Sequence, residues 1–100
     1  MYLDKEEYNK YRRDHREKLR DYIYNYLKNN SCKDCGESRV ACLQFDHIDP
    51  SLKKYNISAF PAMRGSIKTL QLEISKCVIR CANCHAVRTA KDQGWYVNRE

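Results

Sequence analysis

One hundred residues carrying a formal net charge of +6, 32% of them charged, make one small basic unit with a marginal core, and no Pro-, Gly- or Ser-rich stretch divides it into two. The opening MYLDKEEYNK has no apolar run for a signal peptide, and nowhere do roughly 18 apolar residues follow one another, which excludes a membrane span and leads us to expect a soluble, cytoplasmic protein. A positive field attracts polyanions by releasing their counterions, so nucleic acid leads among partner classes.

From Leu3 to about Asn29 the chain lacks Gly and Pro, and Tyr8, Tyr11, Leu19, Tyr22, Ile23, Tyr26 and Leu27 recur at helical intervals. This predicts a long N-terminal helix with Asp4 as its N-cap. Its charges are mixed in sign at i,i+3 and i,i+4 spacing, as on an exposed helix. Six of the eight tyrosines fall within the first 26 residues. Tyrosine beside arginine suits nucleic acid, and packing of the helix onto the body accounts for the rings equally well.

Asn29, Asn30 and Ser31 end the helix, and Cys32 to Gly36 reads as a knuckle closed by a glycine turn. Val40 to Ile48 is rich in β-formers and Glu37 to Arg39 suits a turn, which predicts a β-hairpin ahead of Asp49-Pro50. Residues 51–65 read as a basic surface loop. Ser66 then caps a short helix reaching about Lys76, with Ile67, Leu70 and Ile74 on one face. A second knuckle, Cys81 to Cys84, leads into a final helix that Gly94 stops, and Trp95-Tyr96-Val97 is expected to fold back onto the core.

Two CxxC pairs in a reducing compartment point to metal before disulfides. Cys32, Cys35, Cys81 and Cys84 supply the four soft ligands that a tetrahedral structural zinc prefers, and residues 36–80 form an insert between the knuckles. A thiol redox pair is the competing reading, but no thioredoxin-like βαβ pattern surrounds either CxxC. A filled site brings the net charge to about +4. Cys42 and Cys77 are expected to be buried apolar residues.

Between the knuckles stands Phe45-Asp46-His47-Ile48-Asp49-Pro50, and His85 directly follows the second knuckle. Phosphodiester hydrolysis needs a deprotonated water and a cation to neutralise developing charge. An imidazole takes up a proton near neutral pH and a carboxylate holds a hard cation, which makes His47 the candidate base and Asp46 the candidate ligand. His85 becomes the second ligand if the final helix packs across the hairpin. His15 has no partner motif and is expected to be surface decoration.

A CxxC, a strand ending in Asp46-His47-Ile48-Asp49-Pro50, and a CxxCH with Arg88 three residues further on together resemble the HNH endonuclease family over residues 32–91. The resemblance implies an α+β fold with a ββα-metal core, in which hairpin and final helix pinch Mg²⁺ or Mn²⁺ and the zinc knuckles brace them. It implies that His47 activates water, that Asp46 and His85 hold the catalytic ion, and that Arg88 replaces the family's lysine near the phosphate. The family's middle asparagine, about five residues before the third zinc cysteine, is Lys76 here, and Asn83 and Asn56 are the candidates to replace it.

The expected organisation is a basic, Tyr-rich helix over 1–30 followed by a zinc-stapled HNH nuclease domain over 31–100. The expected substrate is double-stranded DNA with loose specificity, because nothing resembles a sequence-reading module. Lys53, Lys54, Arg64, Arg88 and Lys91 are the expected backbone contacts. Compact HNH proteins of this kind resemble phage-encoded ones, some acting beside the packaging terminase, which makes that complex a candidate partner and the host cytoplasm a candidate location. The rival function is a zinc-stapled nucleic-acid-binding module without catalysis.

Overall fold

The computed structural model of the chain describes residues 4–63 and 65–96. Helix α1 spans Lys5–Lys28, and the Asp4 carboxylate accepts from the Glu7 backbone N–H at 2.8 Å, the expected N-cap. At the other end the amides of Asn29 and Asn30 turn back onto the Asn25 and Tyr26 carbonyls, at 2.8 and 2.7 Å. Strand β1 is Leu43–His47, helix α2 is Ile67–Ile74, strand β2 is Cys77–Cys81 and helix α3 is Ala82–Gln93. Ser66 caps α2, and Gly94, in the left-handed region at φ 71°, ends α3.

The sheet has two antiparallel strands, with Leu43 opposite Cys81, Phe45 opposite Ile79 and His47 opposite Cys77. This corrects the hairpin expected between the first knuckle and Asp49-Pro50, with its turn at Glu37 to Arg39. Val40–Cys42 forms a 3-10 turn, and the Glu37 carboxylate gathers the backbone N–H groups of Ser38 and Arg39 into a local loop. Only one strand fits before Asp49, and its partner is the Cys-Val-Ile run delivered by α2. The chain order through the sheet is therefore strand, insert, strand, helix.

Two clusters form the core. Leu19, Ile57, Phe60, Leu70 and Ile74 make one, and Leu27, Cys32, Leu43, Ile79 and Cys81 the other. α1 enters both, through Leu19 and then Leu27, because these residues lie eight apart on one helical stripe.

The insert is more than a surface loop. Its 3-10 segment Ile57–Ala62 buries Ile57, Phe60 and Pro61. Gly65 passes so close beneath the Phe60 ring that any Cβ there would overlap it. His15, expected to be idle, reaches across to the Gly65 carbonyl at 2.8 Å. Trp95 and Tyr96 do not return to the core, being 54% and 60% exposed, and Val97 lies outside the described residues. Among the described residues no helix is long and apolar enough to cross a membrane.

Candidate metal centre and active-site cavity

The sulfurs of Cys32, Cys35, Cys81 and Cys84 all lie within 4.8 Å of one another. A tetrahedral zinc with Zn–S bonds of about 2.3 Å separates its sulfurs by about 3.8 Å. The Cys35 and Cys81 sulfurs are 3.6 Å apart, so donor type and spacing both fit a single structural zinc.

The first knuckle is held by Gly36 N–H on the Cys32 carbonyl, Cys32 N–H on that of Glu37, and Lys33 N–H crossing to Ile79, all at 2.8–2.9 Å. The second knuckle is the first turn of α3, where the Cys81 sulfur caps the helix and accepts from Cys84 N–H at 3.4 Å.

Burial opposes the Cys32 thiolate, yet backbone N–H groups of Cys81, Cys35 and Asp34 outweigh it and bring the thiol down to about 6. Cys35 is pushed up, because the Cys32 and Cys81 sulfurs overcome a favourable bond from the Glu37 backbone. The Cys81, Cys32 and Cys35 sulfurs push Cys84 up as well. Four sulfurs this close could hold one cation between them, and its charge would favour their thiolate forms. Cys42 and Cys77 lie outside the cluster and are half-buried rather than fully buried.

The second centre stands on the face of β1 that α3 covers. His85 Nδ1 lies 2.7 Å from Gln44 Oε1, and an amide oxygen only accepts, so the proton sits on Nδ1. Nε2 then faces Asp46 Oδ1, 3.6 Å away. Neighbouring ligands of an octahedral ion bound at about 2.0–2.1 Å stand about 2.9 Å apart, so the pair would have to draw about 0.7 Å closer to share one.

Asp46 is buried, with Arg80 on Oδ2 at 2.7 Å and Arg88 on Oδ1 at 2.8 Å. Burial raises its carboxyl, but the Arg88 and Arg80 bonds prevail and hold it below its ordinary value. Arg88 also donates to the His47 and Ile48 carbonyls at 3.0 and 2.8 Å. Its guanidinium, expected to face a phosphate, is thus anchored to the end of β1.

His47 points to the opposite face of β1, where its Nε2 meets Glu73 Oε2 at 2.8 Å. Glu73 is 1% exposed and also accepts from Lys54 N–H at 3.0 Å and Lys76 Nζ at 2.9 Å. Burial raises this carboxyl, and the bonds from Lys76, Lys54 and His47 more than offset it, bringing it down to about 2. An ionised Glu73 accepts from the Nε2–H of His47, and in the neutral ring this leaves Nδ1 with its lone pair.

His47 and His85 nonetheless line one cavity of about 330 Å³, together with Gln44, Lys53, Asn56 and Ser58. Gln44 and His47, on opposite faces of β1, both line it.

The remaining candidates divide. Lys53 lines the cavity, whereas the Lys54 ammonium lies 5.7 Å from the Tyr55 ring. Asn83 and Lys91 line a different surface pocket, beside Arg80 and Asp92, so Asn83 does not stand by His47. Asn56 does, with its oxygen accepting from Ser58 N–H and Oγ. Lys76, in the slot of the family's asparagine, holds Glu73 and the Leu52 carbonyl. Arg64 lies outside the described residues.

Sequence reasoning missed Glu73 and Gln44. Glu73 had a signal, for it sits three residues after Leu70 and one before Ile74, at the border of the apolar stripe of α2. Gln44 had one in its spacing, two residues before Asp46 and so on the same strand face. Compared with family models, curated proteins and solved structures, the chain matches none, and its function is read from the site alone.

Proposed function

We propose that the chain is a metal-dependent, HNH-type endonuclease that hydrolyses phosphodiester bonds of double-stranded DNA. The observation that supports this reading is the shared cavity of His47 and His85, with Asp46 3.6 Å from His85 Nε2. When bound, a Mg²⁺ or Mn²⁺ ion neutralises charge developing on the phosphate. Asp46 and His85 would hold it, and Gln44 fixes the His85 tautomer that leaves Nε2 free to do so.

His47 takes a proton from water at Nδ1 as the oxygen attacks phosphorus and the bond to the leaving oxygen breaks. Glu73, bonded to Nε2, orients the ring and stabilises the imidazolium. Lys53, which lines the cavity, offers a cation to the DNA backbone. The Cys32, Cys35, Cys81 and Cys84 cluster holds a structural zinc, which keeps α3 against β1.

One observation favours a second reading, a zinc-stapled binding module without catalysis. Arg80 and Arg88 already neutralise Asp46, and a non-catalytic site needs nothing more there. Supercoiled plasmid incubated with Mg²⁺ or Mn²⁺ separates the two. Nicking that disappears in His47→Ala, with zinc content and helicity retained, supports the nuclease, whereas an inert, zinc-loaded wild type favours the module.

A further inference from the structure

The N-terminal half of α1 carries a groove that the DNA-cleavage reading does not use. Tyr8, Tyr11, Arg12, His15 and Arg16 line it from the helix and Met63 from the end of the insert, enclosing about 160 Å³. Tyr11 is 62% exposed and Met63 41%, so the fold leaves this apolar surface uncovered.

The rings are arranged. Tyr11 and His15 lie with planes 5° apart and centroids 6.4 Å apart, and the Arg12 guanidinium sits 5.8 Å over the Tyr8 ring. The bond from His15 Nε2 to the Gly65 carbonyl holds its ring against the insert. Among the described residues Arg20, further along α1, pairs with Glu17, whereas Arg12 and Arg16 have no carboxylate partner.

From this geometry we infer that the groove binds an unpaired nucleotide of single-stranded DNA, its base stacked on Tyr11 and His15 and its phosphate on Arg12 and Arg16. The inference rests on the reading of the chain as a DNA-acting protein. Flat rings whose planes agree offer one stacking direction to one base, and cations beside them meet the phosphate that every base carries. A duplex keeps its bases stacked on each other and presents only its backbone to such a surface. An acidic peptide would satisfy the arginines and leave the parallel rings unused.

α1 also reaches the cavity. Ile23 lines the His47 and His85 cavity, and the twelve positions from Tyr11 to Ile23 span about 18 Å of helix. α1 would thus hold a single-stranded branch at a set distance from the site of hydrolysis.

Fluorescence anisotropy of a short labelled single-stranded oligonucleotide, without added divalent ion and beside a duplex of equal length, tests the inference. Tyr11→Ala should weaken single-strand binding about fivefold or more, Tyr11→Phe should restore it, and duplex affinity should change less than about twofold. Arg12→Ala should lower the salt dependence by about one phosphate contact. Single-strand affinity unchanged in Tyr11→Ala, or an equal loss on the duplex, would overturn the stacking site. Should Tyr11→Ala lose helicity, Tyr11→Leu, which keeps apolar bulk without a ring, carries the same comparison. No cleavage is needed for this readout, so a chain that stacks single strands yet never nicks plasmid keeps the groove and loses the nuclease reading.

Discussion

The sulfur cluster and the Asp46 and His85 pair stand at two ends of the β2 to α3 junction, and they are built differently. The cluster takes all four donors from two tight turns, and its neighbours are mostly backbone N–H groups. The carboxylate and imidazole pair is assembled from β1 and α3 and is surrounded by side chains that carry full charges. The cluster is set by the backbone of the fold, whereas the pair has its electrostatics set by neighbours that substitution can change one at a time.

Breaking the cluster should have the largest effect. Cys81→Ser removes one of the four clustered sulfurs and the cap of α3 together, and a structural zinc held there would contribute on the order of 10 kcal/mol to folding. Zinc content and far-UV circular dichroism should both collapse. A variant that stays folded without metal would refute the contrast.

Next comes the support beneath His47. Glu73→Ala leaves His47 and Lys76 without their buried partner and should cost about 3–5 kcal/mol in urea unfolding. Because the Glu73 carboxyl titrates at about 2 rather than 4.5, its contribution is present above pH 4.5 and fades as pH falls towards 2. The size is about 3 kcal/mol, and Glu73→Gln should lack this part of the acid sensitivity. A wild-type-minus-variant difference that stays flat from neutral pH to pH 3 would contradict it.

Arg88→Ala should cost less, about 1–3 kcal/mol, because its bonds to Asp46 and two carbonyls reach a partly exposed side chain. It removes a cation from Asp46 Oδ1, so Mn²⁺ titration should find tighter binding than in wild type. Gln44→Leu should change stability least, by about 1 kcal/mol, while lowering Mn²⁺ affinity about 10- to 100-fold through loss of the His85 tautomer. Equal Mn²⁺ affinity in wild type and Gln44→Leu would remove the ion from this pair.

The difference between the two sites also explains what the amino-acid order revealed. Local chemistry was readable: Asp4 and Ser66 as caps, Gly94 as a stop, the Leu19 and Leu27 stripe, and the cysteine spacing each depend on a few adjacent residues. The strand pairing was not, because β1 takes its partner from beyond the insert. Ile57 and Phe60 were hidden by the lysines and proline around them, and nothing short-range shows that Phe60 will sit under Gly65. Glu73 escaped because a carboxylate beside an apolar stripe is usually solvated, and only the tertiary arrangement of His47, Lys54 and Lys76 keeps it from water.

Cys81 faces Leu43 in the sheet, begins α3 and belongs to the sulfur cluster, all at one residue. His85 follows one turn later, about 6 Å along the axis. So short a lever passes any slackening of the clasp to the imidazole with little damping. The sulfur cluster and the placement of His85 therefore share a single hinge point, without a relay through the rest of the molecule.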